Sequence, residues 1–147
     1  MGRPTAIIGT LLLAACGPSS TQADMSQCFG DASVRSVQLT CGPSSIVTDA
    51  GAATLSLCVS ASIPCLLGTT HALVTTSNGS VGMSGTSSAP VLLAPAGGNA
   101  MSGDLRGVVQ LLIPAGETAH VLVQVGDTAV AEDLTAMSCV GAMPNGC

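Results

Sequence analysis

The sequence of 147 residues has no lysine, tryptophan or tyrosine and a single phenylalanine, Phe29. Arg3, Arg35 and Arg106 are its only permanently cationic side chains, set against eight acids. Three scattered arginines cannot form a basic patch. That excludes a phosphate-tracking surface for nucleic acid and electrostatic docking on anionic lipid head groups. Without aromatics the core must be built from small aliphatics, which bury less area per residue, so the fold needs a second source of stability. No Cys-x-x-Cys occurs and neither histidine lies near a cysteine in sequence, which argues against a thiolate metal site. No Gly-x-Ser-x-Gly elbow is present. After residue 15 no stretch of 18 apolar residues occurs, so no second membrane helix is encoded.

The amino terminus is where the chain declares most. Arg3 precedes a short apolar run over residues 6–13, which ends in Leu13-Ala14-Ala15-Cys16. A charged start, an apolar stretch of roughly 7–15 residues and small residues before a cut make a secretory signal. As a helix the run is about 12 Å long, too short to span a bilayer. The segment resembles a bacterial lipoprotein signal, whose lipobox is a leucine, two small residues and a cysteine. The resemblance implies cleavage before Cys16, lipid on its thiol and new amino group, and a membrane partner held through that lipid. Gly17, in place of aspartate, implies the outer membrane or cell surface. Residues 1–15 are then the signal peptide, 16–28 a polar tether and 29–147 one domain. The mature chain keeps two bases and eight acids, a formal charge of −6.

With Cys16 taken by lipid, Cys28, Cys41, Cys58, Cys65, Cys139 and Cys147 remain. An even number in an exported chain reads as three disulfides. Six cysteines allow fifteen pairings. The shortest candidate is Cys58–Cys65, a clip worth about 2–3 kcal/mol on the chain-entropy model; a long bridge such as Cys41–Cys139 would contribute about 4–5 kcal/mol.

From residue 37 onward the hydrophobic period is two. Val37, Leu39 and Cys41 alternate with Gln38 and Thr40; Leu55, Leu57 and Val59 with Ser56, Cys58 and Ser60. Leu105, Val109, Leu111 and Ile113 share a face with Gly107, and Ala119, Val121, Val123 and Val125 alternate with His120 and Gln124. Shorter strands are expected over 72–76, 81–84, 90–94, 128–131 and 134–139. Turn signals separate them at Asp49-Ala50-Gly51, Ser77-Asn78-Gly79, Gly97-Gly98-Asn99, Pro114-Ala115-Gly116 and Gly126-Asp127. Short strands at this spacing predict an all-β fold, an antiparallel sandwich.

Residues 37–139 resemble a bacterial immunoglobulin-like domain of the invasin/intimin type. The resemblance is carried by Val37-Gln38-Leu39-Thr40, Pro43-Ser44-Ser45-Ile46, Asp49-Ala50-Gly51, Ala53 to Val59, Leu73-Val74-Thr75-Thr76-Ser77-Asn78-Gly79-Ser80 and Asp104 to Leu111. It implies an immunoglobulin-like β-sandwich. The family's turn after the second strand, Asp-x-x-Gly-x-Pro, is here Ala61-Ser62-Ile63-Pro64-Cys65, and residues 82–103 add a Gly/Ser/Ala-rich stretch read as a loop. Residues 113–119, with Asp127 and Glu132, are similar to a Calx-beta module.

Asp127, Glu132 and Asp133, with Glu117, are candidate calcium ligands, since Ca²⁺ needs six to eight oxygens. The Asp-x-Asp-x-Asp-Gly spacing of a dedicated calcium loop is missing. His71 and His120 are the only imidazoles, and His120 should face solvent. Met83 and Met101 should pack onto the sandwich rather than bind copper, and Asn78-Gly79-Ser80 reads as a turn. The expected function is a lipid-anchored, non-catalytic envelope module for surface structure or adhesion. It has no cofactor, and its partner is an envelope or surface protein or polysaccharide. Its binding residues fall on loops 77–88 and 95–104. A calcium-dependent binding module and a small exported hydrolase are the alternatives.

Overall fold

Alternation of this kind can bury one face of a strand only if another sheet covers it, and that is how the chain folds. The computed structural model describes residues 33–43, 45–47, 51–64, 66, 68–96 and 103–147. Nine strands run in order: β1 (Ser36–Cys41), β2 (Ser45–Val47), β3 (Ala52–Ser62), β4 (Thr70–Thr76), β5 (Ser80–Val81), β6 (Ser88–Pro95), β7 (Asp104–Pro114), β8 (Ala119–Val125) and β9 (Thr128–Leu134). All pairs are antiparallel, in the order β1-β3-β7-β6-β4-β8-β9, with β2 beside β3 and β5 beside β7. The first sheet is β1, β3 and β7; the second is β6, β4, β8 and β9. β6 belongs to both, pairing with β4 as far as Leu93 and with β7 at Ala94 and Pro95. The protein is an antiparallel immunoglobulin-like β-sandwich stapled by disulfides.

The long pair β3–β7 is its spine, in continuous register from Ala52↔Pro114 to Ser62↔Asp104. Its inward row sets Leu55 against Leu111 and Ala61 against Leu105, all buried. The second sheet answers with Ala72, Val74, Val91, Leu93, Val121 and Val123, also buried. Each fully buried valine or leucine contributes roughly 1.5–3 kcal/mol.

Gly107 shows why β6 can change sheets. A side chain there would collide with the carbonyl oxygen of Leu92 and with Leu93. The absence of a Cβ lets the β6 backbone pass close to β7 just before it pairs with it. Gly126 (φ +56°) opens the two-residue loop joining Val125 to Thr128. That positive φ suits glycine.

The free edges, β1 and β9, approach each other across the open side of the sandwich. Glu132 sits on the inward row of β9 opposite Val121, yet remains exposed. An inward-aimed charge on an edge strand discourages pairing with another chain.

Three expected elements differ. The strand over 81–84 stops at Val81, because Gly82 (φ +67°) turns the chain into a short 3-10 turn, Gly82–Ser84, closed by Gly85 (φ +68°). The stretch 82–103 is not a loop throughout, since β6 runs through it. The strand over 134–139 does not form, whereas β9 continues from Thr128 to Leu134. The register ends at Ala119↔Leu134, so later residues have no partner strand. Ser138 instead turns the chain, its amide and hydroxyl both donating to the Thr135 carbonyl at 3.1 and 2.8 Å.

Candidate functional site

After that turn the chain does something its local sequence does not announce. Cys139 enters the core, 1% exposed, and bonds Cys41 on the inward side of β1 with a Cα–Cα distance of 5.0 Å. The remaining residues pass round the β1 edge, where Met143 packs against Gly42. They end on the outer face of the first sheet, where Cys147 bonds Cys58 of β3 at a Cα–Cα distance of 5.8 Å. The Cys147 amide donates to the Pro144 carbonyl at 3.0 Å, curling the end of this strap. The Cys58–Cys65 clip is therefore not formed; Cys58 is committed to the carboxy-terminal strap. Alternation did put Cys58 on the outer face, but its partner covers it completely. Cys28 and Cys65 lie outside the described residues, as do Cys16 and the segments expected to be a signal peptide and a tether.

The strap walls one side of a polar groove of about 400 Å³. Register supplies the lining. One row crosses the sheet as Ser36, Ser62 and Asp104, and the next as Gln38, Ser60 and Arg106. Thr40, Ala61 and Pro144 complete it. Arg106, one of three arginines in the sequence, is half-buried, with Gly146 of the strap lying against its side chain. The arrangement holds hydroxyls, an amide, a carboxylate and a guanidinium on three rigid strands. It can donate and accept hydrogen bonds, and it contains no imidazole. Sequence reasoning missed this groove and placed binding on loops.

The outer face of the second sheet has the opposite character. Leu73, Leu92 and Leu122 stand 45%, 53% and 39% exposed, with Pro90 opposite Leu73. Of the expected binding loops, 77–88 holds β5 and the 3-10 turn, beside a hollow of about 490 Å³ between Met83 and Leu112. Met83 does not pack onto the sandwich but is fully exposed. Positive φ at Gly82 and Gly85 holds it at the tip of a turn closed by the Val81↔Thr86 bridge. Of the other loop, residues 97–102 lie outside the described residues, Met101 among them.

The calcium candidates do not converge. Asp127 is at the β8–β9 turn and Asp133 is six residues along the strand, about 20 Å away. Glu132 and Asp133 take opposite faces of β9, while Glu117 accepts a hydrogen bond from the Asn78 side chain. Among the described residues no three His, Cys, Asp or Glu side chains are grouped to hold a metal ion. Asn78 and Gly79 form the expected turn. Gly79 (φ +85°) has no space for a Cβ, which would meet the Leu112 carbonyl.

His71 is exposed on β4. His120 Nδ1 donates to Asp133 Oδ1 at 2.7 Å, its register partner across β8 and β9. Ser77 lies close, but its hydroxyl accepts from the His120 backbone amide at 3.0 Å and not from the imidazole. The imidazole and carboxylate are 59% and 71% exposed, which makes this a surface pair with no aligned nucleophile. Such pairs contribute little. Asp133→Asn is expected to change the unfolding free energy by less than about 0.5 kcal/mol in urea titration, and a loss above about 1.5 kcal/mol would show that the pair holds the sheet.

Among the described residues no helix is long and apolar enough to cross a membrane. No protein-family model matches the chain, and no curated protein or solved structure matches it either.

Proposed function

We propose that the protein is a lipid-anchored component of a bacterial cell envelope. Its non-catalytic immunoglobulin-like module presents binding surface for envelope structure or adhesion, as in the invasin/intimin type that its sequence resembles. The observation that carries this reading is the use of its cysteines. Two disulfides join the sandwich to its own carboxy terminus, and in each of them one cysteine is buried. Disulfides of this structural kind belong to oxidising compartments outside the cytoplasm. The seventh cysteine, the odd one, is Cys16 of the lipobox. Export and anchoring are thus supported by separate parts of the chain. A rigid sandwich with a polar groove on one face and exposed leucines on the other supports a binding role.

Intact mass of the protein extracted from membranes of its host tests the anchor. The expected mass is that of a chain beginning at Cys16 plus acyl chains, gaining six hydrogens on reduction. An unlipidated chain retaining residues 1–15, or an odd thiol count with Cys16 free, would overturn the reading.

A further inference from the structure

We propose that the groove between the carboxy-terminal strap and the outer face of β1, β3 and β7 binds a neutral glycan chain. The proposal deepens the adhesion reading by naming a ligand class for one face of the module. A sugar hydroxyl both donates and accepts, so a site for several of them must offer both kinds of group in a fixed array. Gln38 and Arg106 lie in one cross-strand row and Asp104 in the next. Flat side chains of these types carry paired donors or acceptors that match neighbouring hydroxyls, and Ser60 and Ser36 add groups that can do either. Adjacent strands are about 4.8 Å apart, so the array is laid out at saccharide scale on backbone that does not have to be ordered on binding.

The strap contributes twice. Gly146 lies against the Arg106 side chain and limits its freedom, while the Pro144 ring gives an apolar wall for the C–H flank of a sugar. Charge selects among glycans. The mature chain carries a formal −6, and the one guanidinium lining the groove has a carboxylate two residues away on the same face. An anionic polymer would meet net repulsion, and a neutral one would not. With no tryptophan or tyrosine to stack a sugar ring, single-site affinity falls in the millimolar range. Many copies anchored on one surface would raise it through multivalency.

The test uses the mature chain from residue 16, with Cys16→Ser for solubility. It is ¹⁵N-labelled and titrated with tetrasaccharides of glucose and of N-acetylglucosamine. The expected result is saturable amide shifts confined to Gln38, Ser60, Arg106 and the strap. Gln38→Ala, an exposed position, should weaken binding about tenfold without changing the melting temperature, the size of a lost hydrogen-bond pair. Arg106→Gln should weaken it at least as much. The proposal is overturned by the absence of saturable shifts, by shifts that Gln38→Ala and Arg106→Gln leave unchanged, or by shifts centred on Leu73 and Leu122. It is equally overturned if an extended neutral peptide shifts the groove residues and the sugars do not. Lipidation has no part in this measurement, so failure here and failure of the envelope reading can be told apart.

Discussion

Replacing Cys41 and Cys139 together by alanine is expected to destabilise the protein by about 4–5 kcal/mol, close to the whole stability of many domains. With Cys58–Cys147 intact the bridge closes a ring of roughly 25 residues in the unfolded chain, worth about 3.5 kcal/mol on the chain-entropy model. It also pins the seam where β1 and β9 approach without a shared ladder, and Cys139 fills core volume there. Removal of the Cys58–Cys147 bridge should cost less. With Cys41–Cys139 intact it closes that same ring, but residues after Cys139 can detach while every strand stays paired, so the native state regains freedom that offsets part of the loss. Urea denaturation of the two double-alanine variants measures the difference. Equal losses would show that the strap is integral to the sandwich. The same asymmetry sets the order of reduction. In graded dithiothreitol followed by alkylation and peptide mapping, Cys58 and Cys147 should be labelled before Cys41 and Cys139, because the strap after Cys139 can detach and expose its bridge while every strand stays paired.

Gly107→Ala is expected to cost about 3 kcal/mol, although alanine is a modest change and the backbone there is ordinary strand. The added methyl would enter the Leu92 carbonyl and press on Leu93, where β6 leaves one sheet for the other. Neither neighbour can give way cheaply: one is backbone and the other is a fully buried core leucine. Gly116→Ala is the control. Nothing lies within 4 Å of a Cβ there, so only the positive φ of +80° resists, at about 1–2 kcal/mol. Thermal and urea unfolding of both variants would show whether close approach or backbone conformation dominates. A smaller loss at Gly107 than at Gly116 would mean that the β6 crossover shifts freely.

The sequence by itself determined the strands with strong period-two patterns. Leu55, Leu57 and Val59, and Val121, Val123 and Val125, lie buried on their inward rows because side-chain direction in a strand is a local property of every second residue. It also determined the turns at Gly79 and Gly126, where a backbone conformation favours one residue type. Those signals together were enough for the antiparallel sandwich. What tertiary structure decided was every match between distant segments. Cysteine pairing is such a match: parity along β3 set the face of Cys58, but the strap that covers it arrives from residue 147 with no periodic pattern of its own. The failed strand over 134–139 is another, since a strand needs a partner and β8 supplies none beyond Ala119. The groove is the third. Gln38, Ser60 and Arg106 are ordinary polar residues on the solvent side of three separate strands, and they form one row only once two antiparallel registers are set. Register is fixed cooperatively by packing of the buried faces, so the outer row it creates carries no signature within any single strand.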